Sequence, residues 1–284
     1  MKGITIIPPP PHLSRHVRSF WYAGPSTQQQ HYQVLADGAP GLIFQHNNGH
    51  SGITWQGVHK LPLAFVYGQA TVPGNNIMEA GTSCLGIHFR PHVWKSLFQV
   101  DASEVTNTLI ELDNLSGLRI TEQLLNTADP LQIAKLLGDC LWQNIVRKQQ
   151  EDAIITNSVH EIAAHITVVH SSELSGKYNL SQRQYQRRFK QHMGVSPETY
   201  IRILKFQHAL QAINRRSFSK LSDIGYELGF ADQSHFIREF RLFSGYTPKD
   251  LLQQQQPVPV ESMTASLETG HPGIPSTRLL ICPQ

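Results

Sequence analysis

Leu180-Ser181-Gln182-Arg183-Gln184-Tyr185-Gln186-Arg187-Arg188-Phe189, running on to Met193-Gly194, is the stretch whose reading decides the fold. Ser181 is a good N-cap, because its hydroxyl can accept a hydrogen bond from an unpaired N–H of the first helical turn. Tyr185, Phe189 and Met193 recur every four residues, so they share the inward face of one helix. Gly194 stands where a left-handed residue ends that helix. Gln182, Arg183, Gln186, Arg187 and Lys190 then face outward. From Leu174 to Pro197 there are five basic residues and no acidic one. Arg and Gln are the side chains that form bidentate bonds with guanine and adenine edges. Arg188, beside the inward stripe, reads as a phosphate contact or a surface residue.

The neighbouring segments complete a plan. Upstream, Ile155, Val159, Ile162 and Ile166 predict an amphipathic helix, and a short helix follows from Ser172 to Tyr178. Downstream, Ser196-Pro197-Glu198 combines an N-cap, a proline at the first helical position and an early acid. It opens a longer helix with Tyr200, Ile203, Phe206, Leu210 and Ile213 on one side, ended by the basic loop Asn214-Arg215-Arg216-Ser217. The pattern then repeats. Leu221, Ile224 and Leu228 make a short helix, Gly229-Phe230 turns the chain, and Asp232 caps a new one. There Phe236, Phe240 and Phe243 face inward, while Gln233, Ser234, Ile237, Arg238 and Arg241 face away. His235 fits either the core or the outer face. The two caps, Ser181 and Asp232, lie 51 residues apart. Short helix, turn, polar-faced helix is the helix-turn-helix plan, whose second helix enters the major groove of duplex DNA.

Charge agrees with this reading. Residues 1–153 hold 10 Lys/Arg and 11 Asp/Glu, residues 154–256 hold 13 and 8, and residues 257–284 hold 1 and 2. The net of +5 in the middle segment is the footprint of a domain that meets a polyanion. The 284 residues, 40% hydrophobic, suit two domains. No apolar run reaches the length of a membrane span, and four prolines at 8–11 forbid a secretory leader. Cys84, Cys140 and Cys282 are too scattered for a disulfide framework or a zinc site, so a cytoplasmic protein is expected.

Residues 1–115 read as β-rich, with short apolar runs at Gly41–Phe44, Leu63–Tyr67 and Leu85–Phe89 bounded by Gly, Pro, Asn or Asp. Residues 116–151 form a helical segment or linker. Asp129-Pro130 marks a helix start there. Leu131, Ala134, Leu137 and Leu141 are expected to make one apolar stripe, packed on the β-domain or else on a second subunit. Residues 152–253 are the DNA-binding domain. Residues 254–284, rich in Gln, Pro, Ser and Thr, are expected to be a disordered tail.

The two ordered motifs, together with Gly194-Val195-Ser196-Pro197, Tyr200 and Gly245-Tyr246-Thr247-Pro248, resemble the double helix-turn-helix of the AraC/XylS family. Ser175, Gly225 and Lys205 depart from the usual alanines and arginine of that pattern. The resemblance implies an α+β multidomain protein with a cupin-like N-terminal β-domain and an all-α C-terminal domain. It implies a transcription regulator of double-stranded DNA, with RNA polymerase, a small-molecule effector and a second copy as candidate partners. Arg183, Gln186 and Arg187 would contact bases from the first unit, and Gln233, Ser234 and Arg238 from the second. A looser likeness to the family's sensor domains is carried by Phe20-Trp21-Tyr22, Ala36-Asp37-Gly38 and Gly86-Ile87-His88-Phe89-Arg90-Pro91.

No catalytic set or metal site is legible. His88 with His92, and His46 with His50, lack a completing acid, so neither cofactor nor enzymatic activity is expected. A metalloenzyme fused to a DNA-binding domain is the competing reading, and stoichiometric bound metal would distinguish it. An adaptor docking partners through residues 116–149 is a third. Cys84 reads as a small buried hydrophobe and Trp21, Trp55 and Trp94 as core.

Overall fold

A computed structural model describes residues 4–115, 117–148, 151–253 and 279–281. The first part of the chain forms strands β1 (Ile4–Ile7), β2 (Val17–Ala23), β3 (Gln30–Val34), β4 (Gly41–His46), β5 (Ile53–Trp55), β6 (His59–Lys60), β7 (Ala64–Tyr67), β8 (Gly74–Met78), β9 (Ser83–Phe89) and β10 (Leu109–Glu111). They pair antiparallel in two sheets, one ordered β1-β2-β9-β4-β7-β10 and the other β3-β8-β5-β6. The apolar runs expected to be strands fall in β4, β7 and β9, adjacent in the first sheet. Strands covered on both faces read as continuous apolar runs rather than alternating ones. One face of this sheet packs Leu42, Val66 and Ile87 against the helical segment. The other faces the second sheet, where Trp21, Tyr32, Ile53 and Met78 cluster.

Helices α1 (Trp94–Phe98), α2 (Thr121–Leu125) and α3 (Pro130–Lys148) close the first face. The expected stripe on α3 needs one correction. Ala134, Leu137 and Leu141 are buried with Ile133, but Leu131 is 62% exposed. Spaced only three residues from Ala134, it has rotated off the buried arc to its open edge. The tail is corrected at one point. Leu279–Ile281 forms β11, antiparallel to β3 on the outer edge of the second sheet. A row of unpaired backbone groups on an edge strand is a template that a short apolar segment can satisfy. Residues 254–278 and 282–284 lie outside the described residues.

The remaining helices are α4 (Ala153–Ala164), α5 (Ser171–Lys177), α6 (Gln182–Met193), α7 (Pro197–Arg215), α8 (Leu221–Glu227), α9 (Gln233–Ser244) and α10 (Pro248–Gln253). Helix α7 contributes to two cores at once. Tyr200 and Leu204 pack with Ile155, Val159, Leu174, Tyr185 and Phe189. Ile203, Phe206, Leu210 and Ile213 pack with Ile224, Phe236, Phe240 and Phe243. The molecule is therefore a double-sheeted β-domain with an attached helical segment, followed by an all-α domain of two helix-turn-helix units.

The two parts do not merely touch. Leu35 and Ala36, in the loop after β3, are fully buried within the second helical core. Gln207, also buried, donates its side-chain N–H to the Ala36 carbonyl. The first unit is tied elsewhere, by Thr106 donating to the Gly194 carbonyl at 2.7 Å.

Candidate nucleic-acid interface

The local rules at each end of α6 and α9 fix where their side chains go. Ser181 caps α6 by accepting from the Gln184 N–H on its hydroxyl, and the Gln184 side-chain oxygen accepts from the Ser181 N–H, a reciprocal capping box. Asp232 caps α9 by accepting from the His235 N–H at 2.7 Å. Both helices end on a left-handed glycine, Gly194 at φ 83° and Gly245 at φ 80°. Gly194 serves a second need, since a Cβ there would lie 2.9 Å from Thr106 Oγ1 and 3.0 Å from the Ala102 carbonyl oxygen.

With Tyr185, Phe189 and Met193 inward, Gln182, Arg183, Arg187 and Lys190 are exposed on α6. With Phe236, Phe240 and Phe243 inward, Gln233, Ser234, Arg238 and Arg241 are exposed on α9. Gln186 is half-buried and donates its amide to Glu198 Oε1 at 3.0 Å. That carboxylate also accepts from Ser171, at the start of α5. Burial pushes the Glu198 pKa up, but these hydrogen bonds and its own N–H outweigh it, and the group sits below its ordinary value. Lys190 borders a shallow groove shared with Thr71 and Val72 of the β-domain and Arg202 of α7.

Arg188 is not a free surface group. Its guanidinium forks onto Asp152, with Nε 2.5 Å from Oδ2 and Nη2 3.0 Å from Oδ1. Asp152 is also the N-cap of α4, accepting from the N–H groups of Ile154 and Ile155. The second unit repeats the device with the charges exchanged. Glu239 of α9 receives the fork of Arg202 from α7, at 2.5 and 3.0 Å. In both pairs the carboxylate side chain is 9% exposed and the guanidinium 41%. His235 lies half-buried between this pair and the Phe230 ring, 5.4 Å from the ring centre. Removing one partner of such a pair leaves the other charge stranded, which costs more than the pair contributes. Each of α6 and α9 is thus pinned from behind while its Arg/Gln face stays open.

The Asp152 pair has a pH signature. Burial pushes the Asp152 carboxyl up, but hydrogen bonds from Arg188 and the Ile155 N–H, with the nearby His192 and Arg188 charges, hold it below its ordinary value. A carboxylate whose folded pKa is depressed stabilises above its unfolded pKa of about 3.9, and that contribution fades as pH falls through the folded value. Asp152→Asn should therefore lower the melting temperature near neutrality. The gap to wild type should close below about pH 4. A gap of constant size in acid would show that the charge is not the stabilising element.

The departures from the family pattern have local explanations. Gly225 of α8 faces Phe236, and a Cβ there would approach its Cβ to 3.3 Å, so the missing methyl lets the two helices close up. Buried Ser175 satisfies its hydroxyl on the Ser172 carbonyl at 2.9 Å. Lys205 keeps a cationic role, 5.6 Å above the Phe230 ring.

A second feature was hidden from the sequence. Between the two sheets lies a cavity of about 580 Å³, lined largely by apolar side chains, among them Trp21, Tyr32, Trp55, Met78 and Cys84. Trp55 is thus no core residue; it is 41% exposed at this wall, while Trp94 is fully buried. Gly86 makes the space for Trp21, its cross-strand partner, since a Cβ there would fall 2.1 Å from the indole. Two titratable groups of its wall, His88 and Cys84, are shifted toward their neutral forms. Burial, with the Arg18 charge, pulls His88 down to about 3, and burial pushes Cys84 up to about 12. His88 meets Ser19 Oγ at 3.1 Å, and His92 stacks edge-on to His160, so the two histidines do not converge. Among the described residues no three His, Cys, Asp or Glu side chains are grouped to hold a metal. Among them, too, no helix is long and apolar enough to cross a membrane.

Comparison with known proteins divides the chain in the same place. Residues 174–254 match a family described as a helix-turn-helix domain, and residues 5–111 match a domain of unknown function (DUF6597). The HTH-type transcriptional activator RhaS of Salmonella arizonae is 34% identical over 86 residues, 29% of this chain and 30% of that protein. RhaS of Escherichia fergusonii is 30% identical over 109 residues, 37% of this chain and 38% of its own length. The chain therefore spans about a third of these curated relatives. Among solved structures, ToxT from Vibrio cholerae O395 aligns over 83% of this chain and 97% of its own, at 11% identity and a TM-score of 0.43. An AraC-type regulator from Chromobacterium violaceum aligns over 37% of this chain and 94% of its own, at 29% identity and a TM-score of 0.34. Residues 174–254, with their two caps and shared helix, thus match a helix-turn-helix domain family and are similar over that region to HTH-type transcriptional activators.

Proposed function

We propose that this chain is a sequence-specific transcription regulator that grips duplex DNA with α6 and α9. One observation carries the reading. Two helices, each capped, each pinned by an ion pair behind, present open Arg/Gln faces and are joined through the single helix α7. Gln182, Arg183, Arg187, Gln233, Ser234 and Arg238 are the base readers, Lys190 and Arg241 the phosphate contacts, and Gln186 reads a base once it leaves Glu198. The β-domain supplies control. Its cavity falls in the size range of small-molecule sites and is mostly apolar. The strip from Gly68 to Gly74 lines that cavity and also carries Thr71 and Val72 to the groove beside Lys190. An effector in the cavity thus acts on the DNA-binding domain through this strip. RNA polymerase is the partner through which bound protein would change transcription.

The test is fluorescence anisotropy with duplexes from the DNA flanking its own coding region, across a salt series. Binding through several phosphates makes log K fall linearly with log salt, at about −0.9 per phosphate neutralised. The expected result is salt-dependent binding that prefers one flanking segment over a scrambled duplex. Equal affinity for both at every salt concentration would overturn the reading.

A further inference from the structure

We infer that Gln69 is the positioning residue that joins the cavity wall to both helix-turn-helix units, its side chain holding the turn seated on α7 and its backbone holding the segment tied to α6. This rests on the reading above that α6 and α9 grip DNA, and it names the residue through which the β-domain acts on them. Gln69 is 2% exposed, within the strip whose Gly68, Ala70, Val72 and Pro73 line the cavity. Its side-chain amide donates to the Gly38 carbonyl at 3.1 Å. The reverse amide orientation would set two oxygens face to face, so the donor role follows from the pairing. The Gln69 carbonyl accepts from the Asn107 N–H at 2.9 Å.

Each of these bonds leads to a different unit. Gly38 ends the turn that begins with Leu35 and Ala36. A Cβ on Gly38 would lie 3.3 Å from Tyr200, 3.5 Å from Ile203 and 3.6 Å from Leu204, and the Ala36 carbonyl accepts from Gln207. Residues 200, 203, 204 and 207 share one face of a helix, so the turn is seated along the helix that both cores share. Two buried glutamines thus hold its carbonyls from opposite sides, Gln69 from the β-domain and Gln207 from α7. Asn107, for its part, adjoins Thr106, which donates to the Gly194 carbonyl at the end of α6. A buried carbonyl is costly to leave without its donor, so a shift of the strip carries the turn and the Thr106 segment with it.

Fluorine NMR of the full chain, labelled with fluorotryptophan and assigned by single Trp→Phe variants, tests this, because Trp21 and Trp55 line the cavity. Coupling between two sites is reciprocal, so DNA bound to the helices must be felt at the cavity. The expected result is that saturation with a flanking duplex at low salt, checked by anisotropy, moves the Trp21 or Trp55 signal of the wild type by more than its linewidth. Gln69→Met keeps the side-chain length but loses the donor; it should bind the duplex and lose the movement. Gln45→Met is the control. Gln45 is equally buried but bonds only within the β-domain, donating to Ser51 and to the Leu61 and Pro62 carbonyls and accepting from the Gly52 N–H. This variant should keep the movement. Gln207→Met removes the other hold on the same turn and should also lose it, which keeps the test decisive if Gln69→Met does not fold. Movement that persists in Gln69→Met or Gln207→Met, that is absent from DNA-bound wild type, or that is lost equally in Gln45→Met would overturn the role of Gln69 and leave DNA binding standing. A wild type that binds no duplex at any salt concentration would overturn both.

Discussion

Phe206→Ala should cost about 3–5 kcal/mol of stability, the cost of emptying a fully packed aromatic site. Phe206 is 1% exposed, with its ring 5.1 Å from that of Phe240 and 5.6 Å from that of Phe243. The same cluster contains Leu35 and Ala36 of the β-domain. The loss should therefore spread beyond the helical domain. All four tryptophans, Trp21, Trp55, Trp94 and Trp142, precede α4, so their fluorescence reports the N-terminal part alone. Helical circular dichroism is weighted toward the C-terminal part. The expected outcome is that both signals move together to lower denaturant, as one cooperative unit would. A dichroism transition that shifts while the fluorescence transition stays in place would show that Leu35 and Ala36 contribute no coupling. An isolated 152–256 fragment should be less stable than the same region in the whole chain, for the same reason.

The second large effect concerns sequence preference. If α6 and α9 occupy successive major-groove segments, their targets lie about one helical turn, ~10 bp, apart. Arg187→Ala should then cost about 1–3 kcal/mol and relax preference at one base pair, as expected when a bidentate guanine contact is lost. Arg238→Ala should do the same at a position roughly a turn away. Lys190→Ala should weaken all sequences alike and reduce the salt slope by about one unit. All three side chains are exposed, so folding is not at stake. Binding-site selection on the wild type and the two Arg variants distinguishes the outcomes. Unchanged preference in both, or loss at the same base pair, would refute the reading by two separate grooves.

What the sequence made legible was local. The caps Ser181, Ser196 and Asp232 and the four-residue spacing of aromatics act within one or two turns, so the starts of α6, α7 and α9 could be read directly. Strands β4, β7 and β9 were legible because covered strands carry unbroken apolar runs. The second sheet was not, since β8 runs Gly74-Asn75-Asn76-Ile77-Met78 and β6 has only two residues. Partners far along the chain were invisible. Helical position placed Arg188 at the margin of the buried face but could not supply Asp152, 36 residues away. Nor could it reveal Ala36 accepting from Gln207, 171 residues on. Leu131 was misassigned because three-residue spacing admits both the centre and the edge of a stripe. The cavity has no motif at all; its one clue was Gly86 within an apolar strand, the mark of a close neighbour.

The two helix-turn-helix units are fastened to the β-domain at different places. The first is held by Thr106 on Gly194, and the second by Leu35 and Ala36 inside its core. A pair of callipers behaves this way when each jaw is clamped to its own point on one block. The separation and tilt of the jaws are then set by the block as well as by the hinge between them. Any deformation that shifts the loop after β3 relative to the segment carrying Thr106 re-gauges the instrument. It would alter which spacing of half-sites fits best before it altered how tightly either half-site is held. Operators differing by a single inserted base pair would register such a change as a swap in rank order.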